Sequence, residues 1–197
     1  MRKMMVAIGV FVCACLVAGS VPAQVETVYS VGQLKPVDSE LKVAVGDAAP
    51  DFALPDLQGE TVRLSSFEGE KNVILSFVPA AFTPVCSDQW PGYDLMQDIF
   101  TAHNAIILGI SADNTPSQYA WIQEMGGVWF PVLSDFWPHG QAASRFGVLR
   151  SDGTTERALF LIDTQGIIRY IDVHDINSRP RLEPLIEALE NLSTEAP

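Results

Sequence analysis

Six consecutive residues, Asn72-Val73-Ile74-Leu75-Ser76-Phe77, form a nearly unbroken apolar run that ends at Pro79 and gives way at Thr83-Pro84 to a helical pattern. Such a short apolar run closed by a proline predicts a buried strand, and a buried strand needs neighbours in a sheet and layers to cover it. The rest of the chain supplies both. Val85, Trp90, Tyr93, Met96 and Phe100 fall on one face of a helix predicted from Pro84 to about His103, with Pro91 inside it predicting a kink. Ala105 to Ile110 reads as a second buried strand, Pro116 to Met125 as a helix, Val132-Leu133 as a short strand and Gln141 to Phe146 as a short helix. Ala158–Ile162 and Ile167–Val173 read as strands joined by the turn Asp163-Thr164-Gln165-Gly166. Arg181 to Leu192 closes the chain as an amphipathic helix with Leu182, Leu185, Ile186 and Leu189 inward.

Strands separated by helices, followed by a strand pair on a tight turn, predict an α/β fold with a mixed central sheet flanked by helices. A thioredoxin-like sandwich is the natural form. Upstream of the sheet, Asp51 to Leu54 looks extended, Gln58-Gly59 marks a turn, and Thr61 to Leu64 alternates as a half-buried strand. One domain over residues 46–194 suits a chain of 197 residues, and no internal repeat interrupts it.

The first 23 residues have a different character. Arg2 and Lys3 precede an apolar run from Met4 to Ala18, then Gly19-Ser20-Val21-Pro22-Ala23, the layout of a secretory leader cut after Ala23. About 15 apolar residues fall short of the roughly 20 that span a bilayer. The chain is therefore expected to be exported, to a periplasmic or other extracytoplasmic space. The alternative is a tethered lipoprotein, with Val12-Cys13-Ala14-Cys15 as an imperfect lipidation site at Cys15. Residues 24–45 carry few apolar clusters and read as an extended N-terminal arm or tether. The whole chain has 12 Lys and Arg against 24 Asp and Glu. Loss of Arg2 and Lys3 with the leader leaves 10 against 24, a net charge of −14. So acidic a protein is a poor ligand for nucleic acid or an anionic membrane. Loss of Cys13 and Cys15 also leaves Cys86 as the single thiol, which excludes a disulfide scaffold.

Cys86 lies in the first turn of the helix that follows the buried strand. Thr83 is placed to cap that helix through its hydroxyl, and Pro84 suits the next position, where a missing N–H costs nothing. Unpaired backbone N–H groups and the positive end of the helix dipole favour an anion there. A free thiol is only a few per cent ionised at pH 7, and making its thiolate the main species takes roughly 3–4 kcal/mol. A helix terminus contributes up to about 2 kcal/mol, so a second positive group is required. Arg157, at the entrance to the Ala158–Ile162 strand, is the downstream candidate.

Pro79, Thr83 and Cys86 reproduce the pattern P-x-x-x-T-x-x-C. With Gly46-Asp47-x-Ala49-Pro50-x-Phe52, Gly109-Ile110-Ser111-x-Asp113, Leu133-Ser134-Asp135 and Arg157-x-x-Phe160-x-Ile162-Asp163, they form an ordered set from about Gly46 to Val173. The chain thereby resembles a peroxiredoxin of the alkyl hydroperoxide reductase/thiol-specific antioxidant superfamily. The resemblance implies that Cys86 is the peroxidatic cysteine and that Thr83 bonds thiolate and peroxide. It also implies that Pro79 shields the pocket and that Arg157 pairs with thiolate and substrate. Gln89 stands where relatives carry Glu, Gln or His, and is grouped with the substrate-binding residues. The implied reaction is reduction of hydrogen peroxide and organic hydroperoxides through a Cys86 sulfenic acid, without a cofactor. With no second cysteine after the leader, this resembles a one-cysteine member that takes electrons from an external thiol, a thioredoxin-like protein or a small thiol. Relatives often form homodimers. Trp121, Trp129, Phe130, Phe136 and Trp137 would serve either a core or such an interface. The alternatives are an exported thiol–disulfide protein, which would need a C-x-x-C pair, or a redox-inert binding protein on the same fold. His103, His139 and His174 are dispersed, and no metal site is expected.

Overall fold

The structure, a computed structural model, describes residues 28–195. The leader, its cut after Ala23 and the alternative at Cys15 lie outside the described residues. Strands β1 (Ala53–Pro55) and β2 (Thr61–Arg63) pair as a small antiparallel hairpin, followed by a 3₁₀ turn over Leu64–Phe67. The main sheet contains β3 (Asn72–Phe77), β4 (Ala105–Ser111), β5 (Val132–Ser134), β6 (Arg157–Ile162) and β7 (Ile168–His174) in the order β5-β4-β3-β6-β7. The pairs β3–β4 and β4–β5 are parallel, and β3–β6 and β6–β7 antiparallel, so the sheet is mixed. The helices are α1 (Pro84–Asp94), α2 (Gln97–Ala102), α3 (Thr115–Glu124), α4 (Gln141–Phe146) and α5 (Glu183–Glu195).

The two-residue period of β3 divides the interior into two layers. Leu75 and Phe77 face a layer with Phe52, Leu54 and Phe160, closed by Phe146 of α4. Ile74 and Val78 face the other, built from Trp90 and Tyr93 of α1, Phe100 of α2, Trp121 of α3 and Leu185 and Leu189 of α5. Ser76 shares that second face, and its hydroxyl accepts the Trp90 indole N–H at 3.1 Å.

The helix predicted over 84–103 is two helices. Pro91 stays inside α1, and the interruption comes at Leu95-Met96, where Met96 N–H bonds three residues back to Tyr93 O. Beside it, the Asp94 carboxylate accepts the Trp129 N–H at 3.0 Å, tying the end of α1 to a distant loop. Tyr93 and Phe100 remain buried on the predicted face across the break, while Leu95 points into solvent. The aromatic group also divides. Trp121 and Phe130 are buried and Trp129 packs against them, whereas Phe136 and Trp137 are exposed. Residues 28–45 form no helix or strand of their own, but they lie against the domain rather than trailing from it.

Candidate active site

The carboxyl end of β3 continues into the loop 78–83, which delivers Thr83 to the start of α1. Phe82 holds a left-handed backbone (φ 57°), unusual for a residue with a Cβ and a local cost of about 1–3 kcal/mol. The loop is braced by Asp113, whose carboxylate accepts the Ala81 N–H and the Ser111 hydroxyl, each at 2.8 Å. From the other side, Thr155 donates to Val78 O at 2.7 Å.

Thr83 occupies the N-cap position with extended backbone, and Pro84 begins the helix. Its hydroxyl does not cap. It accepts no helical N–H and instead donates to the Ala80 carbonyl at 2.9 Å, three residues back across the turn at Phe82. The first intrahelical bond is Ser87 N–H to Thr83 O at 3.0 Å, so the Val85 and Cys86 N–H groups stand free of the ladder as expected of a first turn.

Cys86 is a free thiol with no exposed surface. Antiparallel register pairs Phe77 of β3 with Ala158 of β6, so the entrance of β6 lies at the exit of β3. That register carries Arg157, 71 residues away in sequence, to Cys86: Nη2 is 3.5 Å from Sγ. Arg157 is 2 % exposed, and its guanidinium makes four hydrogen bonds, the one to Sγ included. Nε and Nη2 donate to Ile176 O at 3.2 and 3.1 Å, and Nη1 donates to Gln89 Oε1. Gln89 in turn donates to the Tyr93 hydroxyl at 2.8 Å. Burial pushes the Tyr93 phenol above its ordinary range, which keeps it neutral.

Pro79, Thr83 and Arg157 line one cavity of about 250 Å³. Gln89 does not reach it. It is completely buried, one helical turn beyond Cys86, where its Oε1 accepts from the Arg157 guanidinium. The structure thus places three of the five predicted residues on one cavity, with Cys86 buried against Arg157 and Gln89 buried on the other side of the guanidinium. Three contributors were not read from the sequence. The Ile176 carbonyl is a backbone group just past β7 and leaves no residue-type signal. Ser76, whose hydroxyl accepts from Gln89 Nε2 at 3.4 Å, had only its polarity within an apolar strand to mark it. Residues 30–34, which form one wall of the cavity, carried no pattern at all. The histidines stand apart: His103 meets Ser193, His139 meets Gly153 O, and His174 lies 3.5 Å from Asp172.

A thiol at a helix start, an engaged guanidinium against the sulfur and a small cavity above them suit nucleophilic attack with charge transfer to a departing oxygen. Comparison with known proteins agrees with that chemistry. Residues 45–171 match the model of the AhpC/TSA family. Alkyl hydroperoxide reductase E of Mycobacterium tuberculosis (strain ATCC 25618 / H37Rv) is 38% identical over 133 residues, which cover 66% of this chain and 84% of that protein. A putative peroxiredoxin, ycf42, of Porphyra purpurea is 36% identical over 155 residues, covering 74% and 76%. Among solved structures, the reduced 2-Cys peroxiredoxin of Plasmodium vivax superposes with a TM-score of 0.70 at 28% identity, covering 76% of this chain and 82% of that one.

Proposed function

The chain belongs to the AhpC/TSA family and is a thiol-dependent peroxidase, and we propose that Cys86 carries the reaction with Arg157 and Thr83 as its partners. The Cys86 thiolate attacks the terminal oxygen of a hydroperoxide ROOH. An S–O bond forms as the O–O bond breaks, sulfur loses two electrons, and the departing RO⁻ takes a proton from water to leave as ROH. Cys86 is then a sulfenic acid. Negative charge moves from sulfur to the departing oxygen, so donors aimed there stabilise the transition state more than the ground state. Arg157 is held for this by Ile176 O and Gln89, with its remaining donor capacity toward Sγ. The Thr83 proton is committed to Ala80 O, which leaves its oxygen lone pairs to accept the peroxide O–H. Pro79, buried beside them, keeps that part of the cavity apolar.

Cys86 is the free cysteine among the described residues. An external thiol therefore condenses with the sulfenic acid, releasing water and forming a mixed disulfide, and a second thiol displaces Cys86. The observation that carries this reading is the 3.5 Å contact between Arg157 Nη2 and Cys86 Sγ at the cavity floor. One equivalent of hydrogen peroxide should give a dimedone adduct on Cys86, and Cys86→Ser should fold normally without consuming peroxide. Turnover retained by Cys86→Ser overturns the assignment.

We also infer export with loss of residues 1–23, supported by the leader-like sequence; an intact mass of secreted protein that includes those residues would refute it. A homodimer is the expected assembly, and the exposed Phe136 and Trp137 offer apolar area for it. A monomer mass by sedimentation at micromolar concentration would dismiss it.

A further inference from the structure

The family match begins at residue 45, yet one wall of the cavity lined by Thr83 and Arg157 is made by residues 30–34. This segment is strapped across the cavity mouth. At one end Tyr29 N–H donates to Phe82 O at 2.6 Å, in the loop just before Thr83. At the other, Leu34 exchanges two bonds with the Asn177 side chain at 2.8 and 2.9 Å, next to the Ile176 whose carbonyl holds Arg157. Beyond it, Ile176 N–H donates to Pro36 O at 3.1 Å and Arg150 donates to Lys35 O at 3.0 Å. Asp38 N–H donates at 2.6 Å to Glu156, a buried carboxylate that is itself paired with Arg150. From Tyr29 to Pro36 these ties use the strap's backbone. The side chains of Val31 and Leu34 make none of them and are free to face a ligand.

The wall has a definite chemistry. Val31, Leu34, Pro84, Val85 and Ile176 surround the space that Arg157 lines, with the Cys86 sulfur buried 3.5 Å beyond the guanidinium. Arg157 at the floor and Asp152 are the charged residues that line it. The single cation is already occupied with the reacting atoms, and the carboxylate opposes a second negative charge.

We propose that residues 30–34 are a specificity wall, in which Val31 and Leu34 seat the uncharged apolar R group of an organic hydroperoxide while its –OOH end reaches Arg157 and Cys86. The inference rests on the reading of Cys86 given above. Hydrogen peroxide enters the same cavity but gains nothing from the wall, and a hydroperoxide with a carboxylate on its R group meets Asp152 without a compensating cation.

The test compares second-order rate constants for Cys86 sulfenate formation with hydrogen peroxide, cumene hydroperoxide and linoleic acid hydroperoxide. Covering one methylene is worth roughly fourfold in a binding constant, so replacing two partly exposed aliphatic side chains should cost about tenfold. The Val31→Ser/Leu34→Ser variant should therefore lower the ratio of the cumene hydroperoxide to the hydrogen peroxide rate constant by about tenfold. Val37→Ser, on the same segment but away from the cavity, should leave that ratio within twofold. In the unaltered protein, cumene hydroperoxide should react faster than linoleic acid hydroperoxide. If the double variant melts early, Val31→Ala, which keeps every backbone tie, should still lower the ratio about threefold. A ratio within twofold of the unaltered protein in these variants, or faster reaction with the anionic hydroperoxide, overturns the wall while leaving Cys86 in place. No sulfenate with any of the three peroxides overturns the Cys86 reading and the wall with it.

Discussion

Replacing Arg157 with lysine keeps the positive charge and removes the fork. The guanidinium serves three acceptors that lie in different directions: Ile176 O at 3.2 and 3.1 Å, Gln89 Oε1, and Cys86 Sγ at 3.5 Å. A lysine ammonium has three protons on one atom and cannot span that triangle. If it settles against Ile176 O and Gln89, the sulfur loses its donor. The loss of one well-placed donor at an oxyanion position costs about 10²–10³ in rate. If it turns to the sulfur, a buried acceptor is orphaned at about 1–3 kcal/mol of stability, since Gln89 has no exposed surface. Arg157→Lys should therefore oxidise at least about 100-fold more slowly, or lose about 1–3 kcal/mol, or show part of both. Stopped-flow tryptophan fluorescence can follow the oxidation, since Trp90 packs in the same layer as Cys86. Urea unfolding gives the stability, and near-ultraviolet circular dichroism reports whether the aromatic packing survives. A rate constant within threefold of the parent, with unchanged unfolding, would show that charge alone suffices and that the fork geometry has no part in the reaction.

Two further outcomes follow from the packing and the charges. A Cβ at Gly109 would lie 2.8 Å from the Trp90 ring and 3.1 Å from Phe130, so Gly109→Ala should destabilise the fold by about 1–3 kcal/mol. It should also alter the near-ultraviolet tryptophan signal, because Trp90 is clamped against Trp121 at 4.8 Å, and an unchanged spectrum and urea midpoint would contradict this packing. Asp175 is held below its ordinary carboxylate value of 3.8 by the Asn177 backbone N–H and then by the Asn177 side chain. A depressed folded-state value means stability that is fully present above 3.8 and is lost as pH falls through the folded value beneath it. Asp175→Asn should remove that part of the acid sensitivity, and urea midpoints compared at pH 3 and pH 5 with the same slope in both proteins would refute it.

Much of the site is local and was readable as such. Pro79, Thr83 and Cys86 fall within eight residues, and the apolar run before them and the Thr-Pro after them are enough to specify strand, loop and helix start. The Thr83 hydroxyl donates back to Ala80 O rather than capping the helix, and the left-handed backbone of Phe82 between them is announced by no residue type at that position. Gln89 was grouped with the substrate-binding residues because it stands where relatives carry Glu, Gln or His. Whether such a residue meets the cavity or the interior depends on where Arg157 stands, and Arg157 arrives from β6. The 84–103 helix was continuous in its apolar spacing, and that spacing is preserved across its break, so periodicity had no means of detecting the interruption at Leu95-Met96.

Short-range spacing, in this chain, settles the kinds of element, their sequence along the backbone and the place of Cys86 at a helix start, because periods of two and 3.6 residues and a Thr-Pro helix start are properties of neighbours. The partners of Cys86 come from elsewhere. Arg157 meets Cys86 only once β3 and β6 align with Phe77 against Ala158, and the cavity gains its outer wall only when residues 29–38 bond to Phe82, Asn177 and Glu156. Those contacts join groups far apart in sequence. Their geometry is set by close packing of the two layers and by the need of buried polar groups for partners, conditions that exist only once the chain is folded.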